Sequence, residues 1–307
     1  MKPSAVVFGY GAVAVRCTRV LLEQHVDVKL VVTHEDDPAE NRWYPSFAEF
    51  GKQHDLPVIT PATADDRLLY RLHALAPDFI FSFYYRQLLP DALLATARRG
   101  ALNMHGSLLP RFRGRAPVNW AVLHGAHETG ATLHYMTSRA DAGDIVDQQA
   151  VAIGENDTAY EVFLGVANAA ENIISRSLPA LIAGNARRIP QDLSQGEYCR
   201  RRRPEDGRID WSQGAREIHN LVRAVAPPFP GAFANFGGEK WLVTRTRVLP
   251  QRVGAANGRM LRAEEGRCVI TCHDGHQIEL LEVRDAHGTL EQAQLLARVA
   301  QSPIAVS

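Results

Sequence analysis

From residue 5 to residue 104 the chain alternates short apolar, β-branched runs with amphipathic stretches, and few folds accept that alternation. The runs are AVVFG (5–9), VKLVVT (28–33), LPVIT (56–60), PDFIFSF (77–83) and GALNM (100–104). Between them lie helical patterns from Gly11 to about His25, at PSFAEFGKQH (45–54), over 66–76 and at PDALLATAR (90–98). Such a succession predicts right-handed βαβ units, hence an α/β domain with a doubly wound, mostly parallel sheet and helices on both faces. Ligands of such sheets gather outside the carboxyl ends of the strands.

The pattern then changes. APVNWAVLHG (116–125) reads as a helix, and TGATLHYM (129–136) with DIVDQQAVAI (144–153) reads as a strand pair. A long helix follows from Thr158 to Ala183, opened by the capping box Thr158-x-x-Glu161 and stopped by Gly184. Periodicity is lost over 185–206, where Pro190, Gly196, Pro204 and the run Arg200–Arg203 read as a linker. Beyond it Ser212 is a candidate cap for a helix to about Val225, ended by PPFPG (227–231). Short strands are expected at 232–236, 240–247, 258–263, 267–273 and 276–284, turning at Gly237-Gly238 and Asp274-Gly275, before a helix over about 290–300. Short strands at even spacing suggest a small open barrel. The expected division is an α/β domain over 1–190, a linker over 191–206 and a second, smaller β-barrel domain over 207–307.

Charge narrows the partners. Of 307 residues, 34 are Lys or Arg and 34 are Asp or Glu, and a domain built to grip nucleic acid usually carries a basic excess. A large RNA substrate is therefore disfavoured. With 46% hydrophobic residues the composition is that of a globular chain. The N-terminal apolar run breaks at Gly9, unlike a signal peptide, and no run reaches the roughly 18 residues that cross a bilayer. Cytoplasm is the expected location, with no membrane partner. Cys17, Cys199, Cys268 and Cys272 are scattered, which fits a reducing compartment. Cys268 and Cys272, with His273 and His276 behind them, have the residue types of a metal site, but their spacing in CVITC makes them same-face core residues of a strand, and no metal is expected.

Three segments carry candidate chemistry. Gly9-x-Gly11-x-x-Ala14, with Glu35 after the next strand, has the form of a dinucleotide-binding fingerprint and would make an NAD-dependent dehydrogenase; any strand-to-helix turn in such a sheet also needs a glycine. In ALNMHGSLLPRFRGRAP (101–117), Asn103 and His105 are two apart on a strand and share a face at its carboxyl end. A histidine there is often structural, yet the Gly, Pro and Arg density that follows is where loops carry function. In SRADAGD (138–144), Asp141 can form an Asx turn or reach His105 and raise its pKa. Arg111, Arg113, Arg115 and Arg200–Arg203 are local positive clusters, suited to a pyrophosphate or simply solvated.

NMHGSLLPRFRGRAP, TGATLHYM and the downstream Asp141 together closely resemble the signature of the 10-formyltetrahydrofolate-dependent formyltransferases, which have a Rossmann-like N-terminal domain and a small OB-like C-terminal one. Within that family, FSFYYRQLLP (81–90), RGRAPVNW (113–120), RADAG (139–143) and LVRAVAPPFPGAF (221–233) look most like the members that formylate UDP-4-amino-4-deoxy-L-arabinose for lipid A modification and polymyxin resistance. The resemblance implies that Asn103 stabilises a tetrahedral oxyanion, His105 handles a proton and Asp141 raises the histidine's pKa. It implies 10-formyltetrahydrofolate as co-substrate, contacted through Gln87, Leu88, Leu89, Arg115, Thr137, Ser138, Arg139, Ala140 and Asp141, and a UDP-linked amino sugar as acceptor. Methionyl-tRNA formyltransferases share the Asn-x-His-x-Ser-Leu-Leu-Pro core but commonly have Leu-Asp-Thr-Gly around the acid. They remain an alternative, as do formyltransferases of other nucleotide amino sugars and a non-catalytic folate-binding module.

Overall fold

The structure is a computed structural model that describes residues 2–38, 41–254 and 260–307. It forms two compact units: one of residues 1–117, 128–152 and 163–200, the other of 118–127, 153–162 and 201–307. The chain thus contributes to the second unit well before the expected linker.

In the first unit the strands are β1 (Ser4–Gly9), β2 (Asp27–Val32), β3 (Val58–Ile59), β4 (Phe79–Phe83), β5 (Gly100–His105), β6 (Arg113–Gly114), β7 (Glu128–Tyr135), β8 (Ile145–Ala152) and β9 (Tyr198–Cys199). Seven of them make one sheet in the order β3-β2-β1-β4-β5-β7-β8. It is parallel from β3 to β5, while β7 runs antiparallel to both β5 and β8. The strand order reverses between β1 and β4, and there the connections diverge to leave a crevice. Helices α1 (Gly11–Glu23), α2 (Phe47–Gln53), α3 (Asp66–Leu75) and α4 (Asp91–Leu94) connect the parallel strands. Alternation along each strand divides the core. Val6, Phe8, Leu30, Val32 and Ile80 pack with Leu68, Leu72 and Leu93 of α3 and α4. Phe79, Phe81 and Phe83 line up on one another two residues apart and face the other way.

Helix α5 (Pro117–Leu123) precedes β7, and α6 (Ala159–Ala183) follows β8. The Thr158 box forms as expected: the Thr158 N–H donates to Glu161 Oε2 at 2.8 Å and the Glu161 N–H to Thr158 Oγ1 at 3.3 Å. The second unit holds α7 (Ala215–Val225) and strands β10 (Ala232–Phe236), β11 (Glu239–Arg252), β12 (Met260–Glu264), β13 (Arg267–Thr271), β14 (His276–Asp285), β15 (Gly288–Glu291) and β16 (Ile304–Ala305), with α8 (Gln292–Val299) before the last. Positions 258 and 259 of the expected strand at 258–263 lie outside the described residues. The antiparallel order is β10-β11-β14-β13-β12-β16. The sheet curls as the small OB-like barrel expected, and Asn235 exchanges backbone hydrogen bonds of 2.8 and 2.9 Å with Ser307 just beyond β16. A two-residue strand has no periodicity to announce it.

Two local expectations change. Ser212 does not cap α7: its hydroxyl donates to Asp210 Oδ1 within a turn, and Gly214 precedes the helix. The stretch expected as a linker carries β9, which pairs in parallel with β6. Cys268 and Cys272 are buried, and burial pushes their thiols up to about 11 and about 12. Among the described residues no cluster of His, Cys, Asp and Glu is placed to hold a metal ion, and no helix is long and apolar enough to cross a membrane.

Candidate active site

At the carboxyl ends of β4 and β5 lies a cleft of about 650 Å³. Gln87, Leu88, Leu89, Asn103, His105, Arg115, Thr137, Ser138, Ala140 and Asp141 line it; Arg139, expected with them, does not. The β5 pleat puts Asn103 and His105 on one face, as their spacing requires. Antiparallel pairing sets His134 of β7 opposite Asn103, so cross-strand neighbours bring a second imidazole into the site. Sequence spacing alone did not single out His134; its pairing with Asn103 is a long-range fact.

Asp141 closes the constellation from the loop after β7. Its Oδ1 is 3.5 Å from His105 Nδ1, 3.6 Å from His134 Nε2 and 3.4 Å from Asn103 Nδ2. Its Oδ2 accepts the Gly114 N–H at 2.8 Å. Burial by itself would push the carboxyl up, but His105, His134 and the Gly114 amide outweigh it and hold Asp141 well below the usual carboxylate range. His105 is 5% exposed, and burial lowers its pKa more than Asp141 raises it. The net rise expected from Asp141 is thus reversed by desolvation.

Carbonyl oxygens only accept hydrogen bonds, which fixes which ring nitrogen carries the hydrogen when either imidazole holds a single one. His105 Nε2 donates to the Phe112 carbonyl at 2.9 Å, leaving Nδ1 as its basic nitrogen beside Asp141. His134 Nδ1 donates to the Tyr135 carbonyl at 2.9 Å, so its Nε2 accepts from Asn103 Nδ2 at 3.1 Å. The second Asn103 amide hydrogen has only the long Asp141 contact. A developing oxyanion in the cleft can take that hydrogen.

The arginines separate into different roles. Arg113 is buried, and its Nη2 donates to the carbonyls of Leu193 and Gly196 at 3.1 and 2.9 Å, which removes it from the expected phosphate cluster. Arg115 stays exposed while its Nη1 donates to the Arg86 carbonyl at 2.9 Å, bracing the segment that leads into Gln87–Leu89. Gln87 Nε2 donates to Ala62 O at 2.8 Å. Leu88, 74% exposed, presents an apolar rim, and the buried Tyr84 and Tyr85 hydroxyls at the same cleft have no protein partner. An apolar wall with a few unsatisfied polar groups suits a flat heteroaromatic ligand.

The glycine turn after β1 serves packing. A Cβ on Gly9 would lie 2.6 Å from Ala14 Cβ and 2.9 Å from the Phe47 ring, while Tyr44 covers Gly11, whose φ is +65°. Arg86 lies over the Tyr10 ring at 4.1 Å and donates to Tyr44 Oη at 3.2 Å. The turn is thus roofed by aromatic side chains.

The "Formyl transferase" family profile matches residues 5–178, more than half of the chain, and its C-terminal domain profile matches 202–300. The chain belongs to the formyl transferase family. Solved structures share the fold of this formyltransferase at low identity. An N-formyltransferase from Helicobacter canadensis in complex with folinic acid and dTDP-3-aminofucose is 20% identical with a TM-score of 0.69, over 91% of this chain and 99% of that one. WlaRD, a sugar 3N-formyl transferase solved in the presence of dTDP and 5-N-formyl-THF, is 18% identical with a TM-score of 0.70, over 93% and 98%. A 4-N formyltransferase from Francisella tularensis is 20% identical with a TM-score of 0.61, over 75% and 91%.

Proposed function

We propose that this formyltransferase moves the formyl group of 10-formyltetrahydrofolate onto the amino group of a nucleotide-linked amino sugar, with UDP-4-amino-4-deoxy-L-arabinose, and so lipid A modification, as the case its motifs favour. The observation that carries the reading is the convergence of Asn103 and His105 on Asp141 Oδ1, at 3.4 and 3.5 Å, at one end of the cleft. The folate ligands and the dTDP-sugar of the solved relatives support the two substrate classes. The sequence Ala-Asp-Ala-Gly around Asp141 supports a sugar over methionyl-tRNA.

In this reading the neutral sugar amine attacks the formyl carbon and the carbonyl electron pair moves to oxygen. Asn103 Nδ2 donates to that oxygen; loss of one such donor commonly costs on the order of 10²–10³ in turnover. His105 Nδ1 takes the proton from the attacking nitrogen, and Asp141 stabilises the imidazolium so formed. The carbon–N10 bond then breaks, N10 receives the proton, and tetrahydrofolate leaves. Holding both substrates in one cleft lowers the barrier further, by roughly 7–11 kcal/mol in well-aligned systems.

The deciding assay is mass spectrometry of reactions containing 10-formyltetrahydrofolate and a panel of UDP-amino sugars, dTDP-amino sugars and methionyl-tRNA. The expected product is an N-formylated UDP-4-amino-4-deoxy-L-arabinose. Formylation of another nucleotide sugar would change the acceptor, and formylation of methionyl-tRNA alone would replace the reading.

A further inference from the structure

Asp141 sits in the left-handed region at φ +54°, where a side chain is uncommon and the backbone must be held by its surroundings. Two residues on, a Cβ at Gly143 would lie 2.0 Å from the Tyr135 carbonyl oxygen, so the turn is pressed against the end of β7. Its other side is held by one side chain. Gln191 Nε2 donates to the carbonyls of Asp141 and Gly143 at 3.1 and 2.6 Å.

Gln191 lies in the stretch that composition marks as a linker, yet this part is anchored on both sides. Ile189 and Ile145 exchange backbone hydrogen bonds of 2.9 and 2.8 Å, and the buried Arg113 guanidinium holds Leu193 and Gly196. The amide's orientation is also forced. Flipping it would set Oε1 against two carbonyl oxygens, and in the observed orientation Oε1 is buried with no partner. A buried acceptor is left unsatisfied while both amide contacts go to the turn, which is the kind of exception that needs a reason.

We infer that Gln191 is a positioning residue: its side-chain amide fixes the main chain of the Asp141 turn so that the carboxylate faces His105 and Asn103. The inference rests on the reading of those three residues as the reacting groups. Without Gln191 the Gly114 N–H still holds Oδ2, but the turn loses its brace and the carboxylate drifts from His105.

The test uses Gln191→Leu and the near-isosteric Gln191→Glu in the full chain. Since a misplacement of about 1 Å can cost about 10²-fold, kcat should fall by about that factor while both Michaelis constants hold within about 3-fold. Adding Gln191→Leu to Asp141→Asn should slow the enzyme no further, because both changes act on one interaction. A second readout needs no substrate. In NMR titrations of histidine-labelled protein, His105, which is faced by Asp141, His134 and the Phe112 carbonyl, should titrate lower in Gln191→Leu, which withdraws the Asp141 carboxylate without adding a charge. Folded variants with unchanged kcat and unchanged His105 titration would overturn the inference, as would additivity with Asp141→Asn. Collapse of both variants would assign Gln191 to the fold instead. If the wild type formylates no sugar but the titration shifts, the catalytic reading fails and the positioning of Asp141 stands.

Discussion

The basicity of His105 is set by opposing influences, and their order sets the pH behaviour. Burial disfavours the imidazolium and lowers the pKa; Asp141 opposes this from 3.5 Å and the Phe112 carbonyl assists it. The net shift is downward from 6.5, so at neutral pH the ring is neutral and Nδ1 can accept a proton. The acid limb of kcat/KM should therefore lie below pH 6.5, with activity lost as pH falls through the lowered value. Asp141→Asn removes an influence that raises the pKa, so besides slowing turnover it should move the limb of the residual activity further to acid. A pH–rate profile of both proteins checks this, and a limb that moves towards neutral in the variant would contradict it. Stability follows the same sign. The folded state binds fewer protons at His105 than the unfolded chain, so this site loses stability as pH falls from about 6.5 towards the lowered value.

The two-residue strands β6 and β9 have an influence out of proportion to their length. Gly114, the second residue of β6, gives its N–H to Asp141 while its own φ is +97°. A Cβ there would lie 2.4 Å from the Cys199 carbonyl and 3.0 Å from the Tyr198 ring, so no side chain fits without parting β6 from β9. Gly114→Ala should thus lower kcat by about 10²-fold, through a carboxylate displaced by an ångström or so, with a much smaller change in thermal midpoint. Steady-state kinetics beside a melting curve separates the two effects. The same strands show why part of the site was hidden in the sequence. The parallel strands β1, β2 and β4 were legible because each is a short run dominated by β-branched or aromatic residues, and the α6 box because Thr158 and Glu161 carry the side chains that capping needs. Asn103 and His105 were legible as a pair because strand spacing alone puts them on one face. Strands β6, β9 and β16 have no period, and Arg113 and Gln191 look like surface residues until the segments that bury the one and half-bury the other are in place. Charge clustering misled for Arg113 for that reason.

At the scale of the whole molecule, 34 basic residues balance 34 acidic ones, and this bears on the kind of anion the enzyme can hold. A nucleotide sugar brings one pyrophosphate, a small charge with no condensed counterion sheath. Binding it needs only a few local cations, and exposed Arg115 beside the cleft shows that neutrality overall does not exclude them. A tRNA acceptor would demand many phosphate contacts, whose counterion release makes affinity collapse with salt, by about 10³–10⁵ between 50 and 200 mM for six to ten contacts. For the proposed sugar acceptor the attraction is only screened, the Debye length shrinking to about 8 Å at physiological ionic strength. If the acceptor is the proposed nucleotide sugar, its Michaelis constant should rise by less than about 10-fold across that salt range, while the constant for a formyl donor bound against the apolar rim changes less still. Kinetics at four salt concentrations measures the slope for each substrate. A steep, tRNA-like slope for the acceptor would point to a polyanion.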